Sequence, residues 1–466
     1  MQRTAILNVV GLTPRLISDA TPNIRAFMEQ NRIARVQPVL PAVTCTMQST
    51  YLTGRLPSDH GIVANGWYDR EYAEHRFWKQ SNLLVSGEKL WETLRRVDPE
   101  FTCAKLFWWF NMYSTADYSI TPRPLYPADG RKVFDVHTQP MGLRERIKKD
   151  LGPFPFPHFW GPASSIKSSE WIANSAKWVE EKCWPSLSLV YLPHLDYDLQ
   201  RYGLDLDKIG DALKEIDGVV GDLIRFYEQR NVKVVLLSEY GITSVDRPVH
   251  LNRVFREKGW LSIKDELGTE TMEQGSSKVF AVADHQLAHV YINDPSLTNE
   301  VIEVLQNTPG VQQILGKQEK YLAGLEHERS GDLVAVADPR SWFTYYYWLD
   351  DKMAPDFARC VDIHRKCGYD PVELFIDPAI KYPKLKLAWK LALKTLGIRT
   401  LFDVIPLNAE LVKGSHGRLP EDEDDWPVLI GDLPNLPRSQ TIGAHDVFSH
   451  LYEHCVRGKG YGAVGV

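Results

Sequence analysis

Thr44 is the residue of this chain best placed to do chemistry. In Pro41-Ala42-Val43-Thr44-Cys45-Thr46 an extended run turns at Thr44 into a short helix that ends at Thr53-Gly54. A hydroxyl at such a turn sits beside unpaired backbone N–H groups, where an anion binds. That placement suits a nucleophile directed at phosphorus. Other chemical candidates follow the ends of apolar runs. Asp196, Asp198 and Gln200 come after Leu187–Leu192, and Glu239 and Tyr240 come after Val232–Leu237. His416 lies late, in Gly414-Ser415-His416-Gly417.

The elements that must position these groups alternate in type. Ala5–Val10, Leu187–Leu192, Val232–Leu237, His289–Ile292 and Leu333–Ala337 read as buried strands, several rich in β-branched residues. Between them lie helical segments at Pro22–Gln30, Gly87–Arg96, Ser169–Lys182, Lys208–Gln229 and Asn299–Gln306. This alternation predicts an α/β fold, a central, mostly parallel sheet with helices on both faces. Ligands in such folds bind beyond the carboxyl ends of the strands, where Thr44, Asp196 and Glu239 fall. Residues 105–165 break the pattern with prolines and aromatics and read as a cap insertion over the sheet edge. Length alone would allow two or three domains; the whole chain, 1–466, reads as one domain carrying that insertion. The aromatic run Trp342–Trp348 reads as core, with base or ring stacking as its alternative.

Composition is that of a soluble globular protein, 44% hydrophobic and 24% charged, with a net charge of −6 and no Lys/Arg block. That balance argues against a nucleic-acid partner and for a small phosphorylated substrate. No stretch approaches the ~20 apolar residues of a membrane span. Leu385–Leu396 reads as an ordinary surface helix, with a lipid-resting amphipathic helix as its alternative. The N-terminus shows no signal-peptide pattern and the six cysteines form no close CxxC pair, so reduced thiols and a cytoplasmic location are expected. Oligomeric state is not readable.

Five landmarks in order carry a family resemblance. They are Val10-Gly11-Leu12; Pro41 through Gly54 followed by Leu56-Pro57-Ser58-Asp59-His60-Gly61; Asp196 through Gly203; Ser238-Glu239-Tyr240-Gly241; and Gly414-Ser415-His416-Gly417. The chain resembles the alkaline phosphatase superfamily, in its type I phosphodiesterase/nucleotide pyrophosphatase group. The resemblance implies an alkaline phosphatase-like fold and a phosphoric ester or pyrophosphate hydrolase that uses two divalent metals, usually zinc. It implies Thr44 as nucleophile and Asp196, Glu239 and His416 as metal ligands.

Three positions depart from the family's pattern. Val10 stands for an aspartate, Gln200 for a histidine and Tyr240 for a histidine. Zinc wants about four His, Cys or carboxylate ligands, so the inherited set is thin. Asp198, His194 and His364 are the substitute ligands the sequence offers, with Gln200 and Tyr240 as neutral contacts to substrate. One or two ions of zinc, or of manganese or magnesium in an oxygen-rich site, are all consistent with that set. The rival within the superfamily, a sulfatase, needs Cys/Ser-x-Pro-x-Arg; Cys45 has neither the proline nor the arginine. The rival outside enzymes is a homologue that binds a phosphorylated ligand without turnover.

Overall fold

The structure is a computed structural model describing residues 1–129, 131–436 and 440–457. Its centre is the strand Thr4–Val9, buried at all six residues. It pairs in parallel with Leu187–Leu192 on one side and Lys233–Leu237 on the other. A strand with neighbours on both edges and helices over both faces is mostly apolar, and Thr4 and Asn8 are the polar residues of this run. The full nine-stranded order is Gln440–Gly443, Arg32–Gln37, Val428–Gly431, Lys233–Leu237, Thr4–Val9, Leu187–Leu192, Cys103–Leu106, Tyr118–Pro122, Val136–Gln139. Only Val428–Gly431 and Val136–Gln139 run against the rest. The expected mostly parallel α/β sheet is present.

Two helix groups cover it. Pro22–Gln30, Ile166–Cys183 and Leu206–Glu228 pack together, and Thr44–Thr53, Leu90–Val97 and Val447–Val456 form the other group. Long amphipathic segments are the easiest to read from sequence, and the helices expected at Pro22–Gln30, Gly87–Arg96, Ser169–Lys182 and Lys208–Gln229 begin and end within a few residues of those limits, while Val447–Val456 is an addition to them.

Two expectations need adjustment. His289–Ile292 and Leu333–Ala337 are strands, but they lie outside the parallel sheet. They belong to a separate antiparallel sheet ordered Val279–Asp284, Leu287–Ile292, Leu333–Ala337, Val311–Leu315. The two-residue connection at His285-Gln286, with His285 at φ +60°, turns the chain straight back and forces antiparallel pairing. Strands buried on both faces read alike in either kind of sheet, so sequence could not separate them. This second sheet has its own apolar core, which takes in Trp342 to Trp348, apart from Thr344, and so that aromatic run is core. Secondly, 105–165 is not set apart from the central sheet. It contributes Tyr118–Pro122 and Val136–Gln139 to the edge of the central sheet, and Phe107, Phe154 and Phe159 pack with Trp171 beneath it.

Candidate active site

Thr44 opens the helix Thr44–Thr53, whose ten residues are all buried. The helix stops where it should. Gly54 adopts φ +65°, the left-handed cap conformation glycine supplies without strain, and a Cβ there would meet Phe448 at 3.1 Å. At the other end Cys45 N donates to Asn65 Oδ1 at 3.0 Å, and Asn65 in turn donates twice to Asp284 of the second sheet. His60 fixes the following turn through Thr50 Oγ1 and the Ile62 amide.

Because Thr4–Val9, Leu187–Leu192 and Lys233–Leu237 end side by side, the residues after them converge on Thr44. Thr44 Oγ1 lies 3.2 Å from the Tyr240 hydroxyl, which donates to Asp196 Oδ1 at 3.1 Å. Gln200, one helical turn after Asp196, donates to Asp196 Oδ2 at 2.7 Å and accepts from the Tyr369 hydroxyl at 3.0 Å. The Tyr240 ring stacks on His416 at 3.6 Å, His416 on His285 at 3.6 Å, and His285 on Tyr369 at 3.7 Å. A closed circuit results: Tyr240, His416, His285, Tyr369, Gln200, Asp196. Glu239 sits on the other side of Thr44. Its Oε1 accepts from Asn8 at 2.5 Å and from Gln48, and its buried Oε2 has no protein partner among the described residues. Thr44 is 3% exposed, with the Tyr240 end of the ring stack beside it.

Burial sets the charges here. It pushes the Asp196 carboxyl up to about 7, against the lowering effect of the Tyr240 and Gln200 hydrogen bonds. It pushes Glu239 up to about 8, with Gln48, Asn8 and Thr44 pulling the other way. His416 is held down at about 3 by the same desolvation, and is therefore a neutral ring whose Nδ1 bonds the Ala42 carbonyl at 2.8 Å.

Of the sequence-derived candidates, Thr44, Asp196, Gln200, Glu239, Tyr240 and His416 come together. The three substitute ligands do not. Asp198 is two residues round the helix from Asp196 and pairs with Arg201 at 2.8 Å. His194 lies 2.9 Å from Glu215. His364 is exposed, its ring 3.3 Å from the Phe77 carbonyl. Residues outside the sequence-derived candidates are also part of the site. Asn8 reaches Glu239 from one rung below Val10, and Gln48, Tyr369 and His285 hold the other groups. Period-two alternation along the strand places Asn8 on the face of Val10 and is the signal the sequence offers for it; nothing local marks Tyr369 or His285. The acidic run 421–425 is pinned by Arg15 and Arg35. There Gly241 passes so near the Asp425 carbonyl that a Cβ would stand 1.8 Å from it.

The family model described as type I phosphodiesterase / nucleotide pyrophosphatase matches residues 4–370. The chain belongs to this family. An uncharacterized pyrophosphatase/phosphodiesterase of Schizosaccharomyces pombe is 28% identical over 248 residues, 50% of this chain and 44% of that protein. The human bis(5'-adenosyl)-triphosphatase ENPP4 is 22% identical over 246 residues, 50% of this chain and 46% of that protein. The matches thus span less than half the length of these relatives. Among solved structures, phosphonoacetate hydrolase from Sinorhizobium meliloti with phosphonoformate aligns with a TM-score of 0.59 at 14% identity, over 97% of this chain and 95% of that one. An inactive murine ectonucleotide pyrophosphatase / phosphodiesterase 5 in complex with AMP aligns with a TM-score of 0.59 at 14% identity, over 100% and 98%. These share the fold. Members of the family are hydrolases of phosphoric ester and pyrophosphate bonds.

Divalent-metal dependence is general in the superfamily, yet the donor set of this phosphodiesterase-family chain does not fit it. No three His, Cys, Asp or Glu among the described residues gather around one point. Val10 offers no donor atom. Gln200 turns its N–H, and Tyr240 its O–H, toward the Asp196 oxygens that a cation would need. Positively polarised hydrogens thus face the carboxylate in place of an ion. Dialysis against zinc or manganese followed by elemental analysis is expected to leave well under one equivalent per chain. The combined variant Val10→Asp, Gln200→His, Tyr240→His is expected to gain bound metal. One retained equivalent in the unaltered protein would contradict this.

Proposed function

We propose that this chain hydrolyses a small phosphoric or pyrophosphoric ester, with Thr44 as nucleophile and Glu239 as its general base. The observation that carries this reading is the position of Thr44 at the head of a buried helix, with Tyr240 on one side and the unpartnered oxygen of Glu239 on the other. In the reaction Thr44 Oγ attacks phosphorus and its proton passes to the Glu239 carboxylate. The bond from phosphorus to the leaving oxygen breaks, and water then cleaves the phosphoryl-threonine. Tyr240, kept neutral by burial, supplies a hydrogen bond to a phosphoryl oxygen. Asn8 and Gln48 hold Glu239 in place. Adenosine-bearing diesters are the natural substrates to try, since a structural relative is described in complex with AMP and a sequence relative as a bis(5'-adenosyl)-triphosphatase.

The test is hydrolysis of bis-p-nitrophenyl phosphate across pH. A base held at about 8 predicts a rate that rises with pH and levels above about 8. Glu239→Gln keeps an acceptor at Oε1 but cannot take a proton, and is expected to lose about 10²-fold in rate. A second readout separates catalysis from folding. A carboxyl whose pKa is raised by folding stabilises the protein below its unfolded pKa, and that contribution is lost as pH rises through about 8. Glu239→Gln should therefore flatten the fall in stability between about pH 4.5 and 8. An unchanged rate in Glu239→Gln would remove Glu239 from the mechanism.

One observation favours a second reading, a phosphorylated-ligand site without turnover. Thr44 is 3% exposed, with Tyr240 and its stacked partners His416 and His285 beside it, and the Asp196 oxygens already have neutral partners. Calorimetric binding of AMP with no product from any diester would favour that reading.

A further inference from the structure

The helix Pro383–Thr395 is built inside out. An ordinary surface helix turns its apolar stripe to the core. This one has no buried residue. Leu385, Trp389 and Leu396, spaced four and seven apart and so on one side, are 69%, 63% and 75% exposed, with Ala388 and Ala392 exposed among them. The inward side is held by Leu387, packed on the second core, and by Lys386 and Lys390, which pair with Asp403 at 3.0 and 2.9 Å. The helix is thus fixed to the body with its apolar side to solvent.

Two further observations extend the surface. Exposed Ile398 and Leu401 continue it past the helix, and Arg399 bonds the Asp129 carbonyl of the loop that carries exposed Leu125 and Tyr126. Residues 381–402 also hold six basic side chains and no acidic one, in a chain of net charge −6. Apolar patches of this extent on a soluble protein mark something that covers them. A protein partner of the usual kind meets an apolar centre depleted in lysine. Leu and Trp on one side with lysines along the flanks is instead the composition of a helix lying in the plane of a bilayer surface. Its long lysine stems can lie along acyl chains while the ammonium groups reach headgroups.

We infer that Pro383–Thr395 docks this chain on an anionic lipid surface, with Leu385, Trp389 and Leu396 entering the headgroup boundary and Lys381, Lys384 and Arg399 facing anionic headgroups. The helix has 13 residues and lies on the membrane without crossing it; among the described residues no helix is long and apolar enough to cross one. The inference is independent of the chemistry at Thr44.

Flotation of the full chain with vesicles of phosphatidylserine and phosphatidylcholine tests it. The chain is expected to float with these vesicles, at least tenfold less with phosphatidylcholine alone, and less as salt rises. Leu385→Gln/Trp389→Gln/Leu396→Gln is expected to lower binding at least tenfold. Because those side chains point outward, its thermal melt should match the unaltered protein. Lys381→Glu/Lys384→Glu, which leaves the apolar side intact, is expected to lower binding to the anionic vesicles by a similar factor. Equal flotation with both lipid mixtures, or full binding by either variant, would overturn the inference. So would a dimer in light scattering that the triple glutamine variant dissolves while the unaltered chain ignores vesicles, since the occupant would then be a second copy.

Discussion

Replacing Thr44 with alanine is expected to lower hydrolysis of bis-p-nitrophenyl phosphate by about 10³-fold or more. Deleting a nucleophile removes the covalent route altogether, whereas deleting a neighbour only slows it. The fold should hardly notice. Thr44 stands at the first helical position and its side chain does not cap the helix, so alanine, the best helix former, fits there. The hydroxyl lies 3.2 Å from the Tyr240 phenol, which keeps Asp196 as its other partner. The cost in stability should therefore stay near 1 kcal/mol, the value of one buried hydrogen bond. Rates and urea melts on the same preparation separate the two effects. Equal rates in Thr44→Ala and the unaltered chain would dismiss Thr44 as nucleophile. If neither turns over while both bind AMP, the site binds without catalysis.

The largest loss of stability is expected away from Thr44, at Lys366. Its side chain is 1% exposed and its ammonium lies 2.7 Å from both Asp370 and Glu373, themselves buried. Burial alone would lower the lysine's pKa; the two carboxylates overcome this and hold it above its ordinary value. Glu373 also accepts from Trp160 Nε1 and from the Asp362 amide, and Asp370 caps the turn Pro371–Leu374. Removing one member of such a set leaves charge buried without a partner, which costs about 3–5 kcal/mol. Lys366→Met, which nearly preserves volume, is therefore expected to cost that much in urea unfolding at pH 7. The exposed pair Arg340 and Asp246 serves as the contrast; breaking it should cost at most about 1 kcal/mol. Since Tyr369 lies between Lys366 and Asp370 in sequence and supports Gln200, Lys366→Met should also loosen the ring stack beside Thr44. A loss below about 1 kcal/mol would show that water or rearrangement satisfies the two carboxylates.

Much of this protein was legible in its sequence because the signals were local. The mostly apolar run at Ala5–Val10, the amphipathic periods of the long helices and the extended-to-helix turn at Thr44 each follow from neighbours within a few residues. The order of Thr44, Asp196, Glu239 and His416 along the chain was enough to place the family. The departures at Val10, Gln200 and Tyr240 were equally plain.

What replaced the missing ligands was decided only by tertiary structure. Asp198 and His194 are near Asp196 in sequence, yet a helix turns successive residues about 100° apart, so they face other partners. Tyr369 and His285 come from a loop and a hairpin turn more than 80 residues away in sequence from Gln200, and Asn8 and Gln48 reach Glu239 across about 230 and 190 residues. Ring stacking and hydrogen bonds of this kind depend on which surfaces the fold brings face to face, and no periodicity records that. The helix at Pro383–Thr395 makes the same point in reverse. Its alternating leucines and lysines were visible in the sequence, but which side met the body depended on Asp403 and Leu387, and they turned the apolar side outward.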